Sequence, residues 1–358
     1  MEYYTKPQTI SAYQAKFEAF KLSFAPIMFQ VSYCLLKLGI LEQVSQQGEH
    51  GVDAETLAKS LNLSVYGVKL LLDVGLSCHL VWKKDDHYVL DKTGMFLLAD
   101  SMIKTHFDFI QDVCYQGLFN LIDAIKSGKP EGLKVFGNWE TIYQGLSQLP
   151  PQAKESWFNF DHYHSDAAFP DVLPIVFAKP VKLLVDIGGN TGKWALQCLA
   201  YSPDVHITLI DLPQQILLAN EKIGAQGFSD RFTSYVADML GNEVKLPAGS
   251  YDVIWMSQFL DCFSESEILK ILRNIVKLMS KDTKLYILEL FWDRQAFETA
   301  AFSINCTSIY FTALANGNSR MYHSKDLIKL LHQAELYVDE DIDGIGTGHT
   351  LLGCKRKP

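Results

Sequence analysis

Apolar side chains recur at helical spacing through residues 11–46 with few breakers, which predicts helix there. Asp53 can cap a short helix whose inward positions are Ala54, Leu57, Ala58 and Leu61. Ser64 can cap the next, with Val65, Val68, Leu71 and Leu72 turned inward. After Cys78 the run LVWKKDDHYVLDKTG reads as two strands joined at Asp85-Asp86. Helix, turn, helix and hairpin in that order make a winged-helix arrangement. Residues 105–170 read as connecting helices, with a loop around Ser127 to Gly137 and the pair Pro150-Pro151.

From about Val181 the period changes. VKLLVDIG, ITLID, FTSYVAD, YDVIWM and KLYILEL are short apolar runs separated by helical stretches. One such helix opens with the capping box Ser264 and Glu267 and presents Ile268, Ile271, Leu272 and Ile275 on one face. Alternating strands and helices imply a parallel sheet covered on both faces. LYVDEDID and HTLLGCKR, separated by GIGTG, can add an antiparallel pair at one edge. The fold class expected is therefore α/β, a doubly wound, mostly parallel sheet preceded by a mainly α winged-helix domain. The boundaries read as 1–104, 105–170 and 171–358.

Charge narrows the partners. The chain has 358 residues, 32 basic and 41 acidic side chains and a formal net charge of −9, which repels phosphate backbones. All five arginines lie at or beyond Arg231, and the second helix of the winged-helix region offers Tyr66, Lys69 and Asp73 rather than a basic face. A dimerisation module is favoured there over a DNA reader, and no nucleic-acid partner is expected. The start MEYYTKPQTI lacks a basic n-region followed by an apolar h-region, so no signal peptide is expected there, and Phe24 to Leu41, broken by Pro26, Lys37 and Gly39, reads as core helix rather than membrane span. Seven scattered cysteines without a CxxC pair fit reduced thiols in a cytoplasm and no metal site.

The segment VDIGGNTG, residues 185–192, carries the chemistry. A buried strand ends at Asp186, and Gly188, Gly189 and Gly192 shape a turn on which a ligand can approach the backbone closely. Asn190 sits where asparagine tolerates left-handed geometry. The spacing is not the GxGxxG of dinucleotide binders, and Asp186 would repel a pyrophosphate, which disfavours a nicotinamide oxidoreductase. A carboxylate there suits a cation such as the ammonium of a methionine moiety. Asp211, followed by Leu212, ends the second strand, where it can accept from two ribose hydroxyls. Asp238 ends the third, where it can accept from an adenine amine, with Met239 against the ring.

DIGGNTG, IDLP, VADM and YDVIWMSQFLDCFSESEILKIL together resemble the small-molecule O-methyltransferase family, over nearly the whole chain. The resemblance implies an N-terminal winged-helix dimerisation domain, a homodimer, and a seven-stranded sheet with S-adenosylmethionine (SAM) across its carboxyl edge. It places Asp186, Gly188, Asp211, Asp238 and Met239 at cofactor positions, and Ser257 where many relatives have lysine. It implies a small, aromatic or phenolic acceptor. The family histidine that serves as base falls on Asp261, followed by Cys262 and Phe263, and its partner glutamate on Glu289. Ser319 stands where a second carboxylate is expected, beside Arg320.

An ordinary aspartate, with a pKa near about 3.9 against roughly 10 for a phenol, is a poor proton acceptor for a phenol. Three solutions stay open. Asp261 accepts or orients a hydroxyl; the base lies in FDHYHSD, as His162 or His164; or the acceptor needs little deprotonation. Trp157, Phe160, His162, Tyr163, Phe259, Phe302 and Tyr310 are the expected acceptor wall, with Arg320 paired to Glu289, an acidic substrate or a surface acid. The alternatives to O-methylation are C-methylation, SAM-assisted chemistry without methyl transfer, and a SAM-sensing regulator.

Overall fold

The computed structural model of the chain describes residues 3–357 apart from 242, 243 and 248, and describes no side chain for 164 or 165. The chain divides into two compact units, Glu2–Gln111 and Asp112–Pro358.

In the first unit the helix Ala54–Leu61 is capped by Asp53, which accepts the Thr56 N–H at 2.8 Å, and Val65–Ser77 by Ser64, which accepts from Gly67 at 3.0 Å. Strands β1 (Val81–Lys84) and β2 (His87–Leu90) form an antiparallel hairpin turned at Asp85, whose φ is +55°. Leu35, Ile40, Leu57, Val68, Leu72 and Val81 build its core.

The expectation that Phe24 to Leu41 is core helix holds for its C-terminal part, where Leu35, Ile40 and Leu41 are buried, and is corrected for its start, where Phe24 and Ile27 are exposed. Ala12–Lys37 is one helix in which only Ser32 and Leu35 are buried, and Tyr13, Leu22 and Phe24 stand in solvent. It is long and apolar enough to cross a membrane by length and composition alone. Periodicity reports that a face is apolar; it does not report what covers it.

The second unit holds a seven-stranded sheet. Its strands are β3 (Leu183–Ile187), β4 (His206–Asp211), β5 (Phe232–Val236), β6 (Val253–Ser257), β7 (Lys284–Glu289), β8 (Leu336–Ile345) and β9 (His349–Arg356). Their spatial order is β5-β4-β3-β6-β7-β9-β8. All pairings are parallel except β7 with β9 and β8 with β9, the predicted antiparallel edge. Two apolar clusters cover the sheet, one around Met256, Ile271 and Leu285, the other around Trp194, Leu209 and Trp255.

From β3 the chain runs outward through β4 and β5, then returns to place β6 on the other side of β3. The order reverses between β3 and β6. In open α/β sheets a crevice opens at such a point, beyond the carboxyl ends of the strands.

Candidate functional site

The crevice lies at that reversal. A cleft with about 490 Å³ of empty space, partly open to solvent, is lined by the residues following β3, the end of β6, and Asp161, His162 and Asp166 at the end of the helix Pro151–Ser165.

The turn after β3 is specified by its glycines. Gly188 has φ +72°, and a Cβ there would stand 2.2 Å from the Phe259 ring; one on Gly189 would lie 2.4 Å from the Asp186 carboxylate. Gly192, φ +78°, is different. Its Cβ would meet Ile223 at 2.9 Å, so this glycine permits helix packing and does not line the cleft. Asn190 takes φ +49°, and its amide donates to Asp211 Oδ2 at 2.8 Å while the Leu212 amide donates to Oδ1 at 2.7 Å. The carboxylate is thereby fixed, and each oxygen keeps a second lone pair.

Asp186 is 1% exposed and its Oδ2 has no hydrogen-bond partner. Burial, and then the Asp211 charge, push its pKa up to about 8. Ser257 Oγ, Gln258 Oε1 and Thr191 Oγ1 are also buried without partners around the same space. A row of unsatisfied polar atoms on a concave surface is the mark of a ligand site, because such atoms are costly unless a ligand completes them. Gln258, at φ +44°, holds a backbone conformation few side chains adopt, and its N–H donates to the Leu288 carbonyl at 2.9 Å.

Behind the cleft, Glu289 ends β7 and its Oε1 accepts the amides of Phe259 at 3.1 Å and Leu260 at 2.9 Å. This anchors the short turn Leu260–Cys262 that carries Asp261, 4% exposed. Burial raises Asp261 to about 6; burial, followed by the Asp261 charge, raises Glu289 well above the usual carboxylate range. Ser319, at the expected second-carboxylate position, instead receives a bond from Asn316 Nδ2 at 2.8 Å, and Asn316 also bonds the Cys262 carbonyl. It braces the turn from the far side.

His162 stacks on Phe158 with centroids 5.9 Å apart. Burial, then Lys193, lower its pKa to about 4, so the ring is neutral at neutral pH. The side chain of His164 lies outside the described residues. Trp157 donates to the Tyr310 hydroxyl at 2.6 Å, both buried, while Phe160 and Tyr163 are half-buried.

Of the expected acceptor wall only His162 lines this cleft; Trp157, Phe160, Tyr163, Phe259 and Tyr310 do not, and Phe302 and Arg320 are at the surface. Phe302 is 63% exposed, on the outer side of the helix Glu298–Tyr310 whose inner side carries Ala301, Ile304 and Tyr310. Arg320 does not reach Glu289: it is half exposed, bonds Asp326 at 3.1 Å and lies 3.9 Å from Glu265. Its nearest acids come from neighbouring helices on the surface, the duller of the pairings open to it. Asp238 lies in the turn beyond β5, exposed, accepting from the Leu240 amide at 2.9 Å, and Met239 is buried in the core with Met256 and Leu260. Neither lines the cleft.

Sequence reasoning missed Asp161, Lys193, Trp194 and Trp255. Asp161 precedes His162 in the motif already singled out, lines the cleft, and receives Asn190 Nδ2 at 3.2 Å. Burial, then Asp261 and Asp166, raise it to about 7. The two tryptophans stack at 4.1 Å beneath the glycine turn. Their signal was a tryptophan on each of two adjoining elements that the motif itself brings together.

Residues 118–335 match the family model of the O-methyltransferase domain, and 16–88 that of a dimerisation2-like domain. The chain is 22% identical to an L-tyrosine C(3)-methyltransferase of Streptomyces lavendulae over 303 residues, 84% of this chain and 81% of that enzyme. It is 23% identical to a demethylspheroidene O-methyltransferase of Cereibacter sphaeroides over 277 residues, 76% of this chain and 70% of that one. The solved structure of the SAM-dependent methyltransferase SibL superposes with a TM-score of 0.70 at 21% identity, covering 95% of this chain and 98% of that one.

Proposed function

The chain belongs to the SAM-dependent O-methyltransferase family, and from that premise we propose that it methylates a hydroxyl of a small aromatic acceptor in the cleft at the β3–β6 reversal. The observation that carries the placement is the buried, unpartnered Asp186 Oδ2 beside a glycine turn that a Cβ would fill. The residues fit SAM. Asp186 takes the ammonium, Gly188 and Gly189 leave room for the chain, Asp211 with its free lone pairs takes the ribose hydroxyls, and Ser257 offers a hydroxyl nearby. Asp238, exposed beyond the end of β5 and outside the cleft lining, is the candidate acceptor for the adenine amine, whereas Met239, packed in the core, does not present a face to the ring.

Bound SAM supplies the electrophilic sulfonium methyl. The protein's part is to hold the acceptor oxygen in line and to take its proton. Asp261, lifted to about 6, is a better match to a phenol than an ordinary aspartate, and Glu289 acts through the turn to position it. His162, neutral and on the cleft wall, is the alternative base. Trp157, Phe160, Tyr163, Phe259 and Tyr310, which lie outside the lining of that cleft, are the aromatic side chains assigned to the acceptor.

A ring-carbon acceptor is the second reading, favoured by the C(3)-methyltransferase relative and by the absence of the family histidine at Asp261. From residue 16 on, the exposed apolar face of Ala12–Lys37 lies in the span matched by the dimerisation model, which supports a second copy of the chain as its cover. Seven unbridged cysteines support a cytoplasmic setting.

Incubation of the purified protein with SAM and a panel of phenols, catechols and naphthols, read as S-adenosylhomocysteine, should show acceptor-dependent turnover. No by-product above the acceptor-free blank across the panel would sink the aromatic reading.

A further inference from the structure

The groups assigned so far to the cofactor are acids, yet its amino-acid end is a zwitterion. A carboxylate entering a cleft with Asp161, Asp166, Asp186 and, behind them, Asp211 meets repulsion unless a cation answers it. Among the described residues that line the cleft, Lys193 is the only lysine or arginine. His162 is the other nitrogen base on the wall, but its Nδ1 faces two acids, lying 3.9 Å from both Asp161 and Asp166.

Lys193 is well placed for the task. It opens the helix Lys193–Tyr201 directly after Gly192, and the first bond within that helix runs from the Leu196 amide to the Gly192 carbonyl. The amides before Leu196 therefore have no partner within the helix, and the positive end of its dipole lies beside the lysine. About a third of the Lys193 side chain is reachable by solvent, and its ammonium pairs with Asp166 at the opposite wall. Both side chains of that pair are about a third exposed, so surrendering it costs little. Asp186, across the turn, has the unpartnered oxygen that answers the opposite charge.

We propose that Lys193 is the counter-ion of the cofactor's amino-acid carboxylate and leaves Asp166 to take up that position. The inference rests on the reading of the cleft as the SAM site and adds the residue that the all-acid set lacks. Asp166 then acts as a placeholder, keeping the lysine extended over the cleft rather than in solvent.

The test compares three ligands by calorimetry: SAM, decarboxylated SAM, which differs by the carboxylate alone, and 5′-methylthioadenosine, which lacks the whole amino-acid end. Wild-type protein should prefer SAM to its decarboxylated form by about 20-fold, the scale of one charge-assisted hydrogen bond. In Lys193→Met that preference should fall below about 3-fold while methylthioadenosine binds as before, and Lys193→Arg should retain it. Asp166→Asn, which frees the lysine, should keep or enlarge the preference and serves as an independent variant should Lys193→Met fail to fold. A Lys193→Met protein that still prefers SAM as strongly as wild type, an equal loss for all three ligands, or an Asp166→Asn protein without the preference would overturn the proposal. Wild-type protein that binds none of the three would overturn the cofactor site itself, a visibly different result.

Discussion

Asp186→Asn is expected to weaken SAM binding at least about 100-fold while leaving the fold as stable as before or more so, since removing one partner of a buried charge pair costs about 3–5 kcal/mol. The side chain is 1% exposed, with one oxygen unpartnered, and its pKa is pushed up to about 8 by burial and Asp211. An asparagine reproduces the shape and the neutral state but cannot receive an ammonium as a charge. The sign with pH follows from the raised pKa. The folded protein holds this proton more tightly than the unfolded chain, so the associated stability is full below the ordinary carboxyl pKa and is lost as pH climbs toward about 8. The variant should lack that decline, in thermal melts from pH 5 to 9. SAM, which prefers the ionised carboxylate, should release close to one proton on binding to wild type at pH 7 and fewer on binding to the variant. Calorimetry in buffers of different ionisation enthalpy reads this directly. Equal affinity for the two proteins would move the ammonium anchor to another acid.

Glu289→Ala should cost about 3 kcal/mol of stability and lower turnover by roughly a hundredfold or more, since each buried N–H stripped of its acceptor costs about 1–3 kcal/mol. The amides concerned are those of Phe259 and Leu260, and the turn they anchor carries Asp261. Glu289→Gln keeps an oxygen that can accept both bonds, so it should unfold close to the wild-type urea midpoint and retain more turnover than the alanine variant. An alanine variant with wild-type unfolding and wild-type rate would remove Glu289 from any part in holding the turn.

Local signals were legible and distant ones were not. The caps at Asp53, Ser64 and Ser264 act over three residues, and the glycine turn over eight, so the sequence displays them whole. All seven sheet strands follow the runs read from the sequence with ends that match within two residues, the third run, read to Asp238, pairing to Val236. By contrast, the Lys193–Asp166 pair joins residues 27 apart through a helix end and a turn, and nothing in either segment announces it. For Arg320 the sequence left three pairings open, and the structure shows the surface one, with Asp326 and Glu265. Phe302 and the helix Ala12–Lys37 show the limit of apolarity as a guide, because an apolar residue does not state whether its own fold, a second chain or nothing buries it.

Trp194 and Trp255 stack at 4.1 Å, and both border the cleft. Two indoles so close share their excited states and should give a paired band of opposite signs in near-ultraviolet circular dichroism. Their emission is exposed to whatever charge enters above them, so a sulfonium and its neutral product should quench it to different extents. The fold thus contains its own optical gauge of how far a turnover has gone, with no label required.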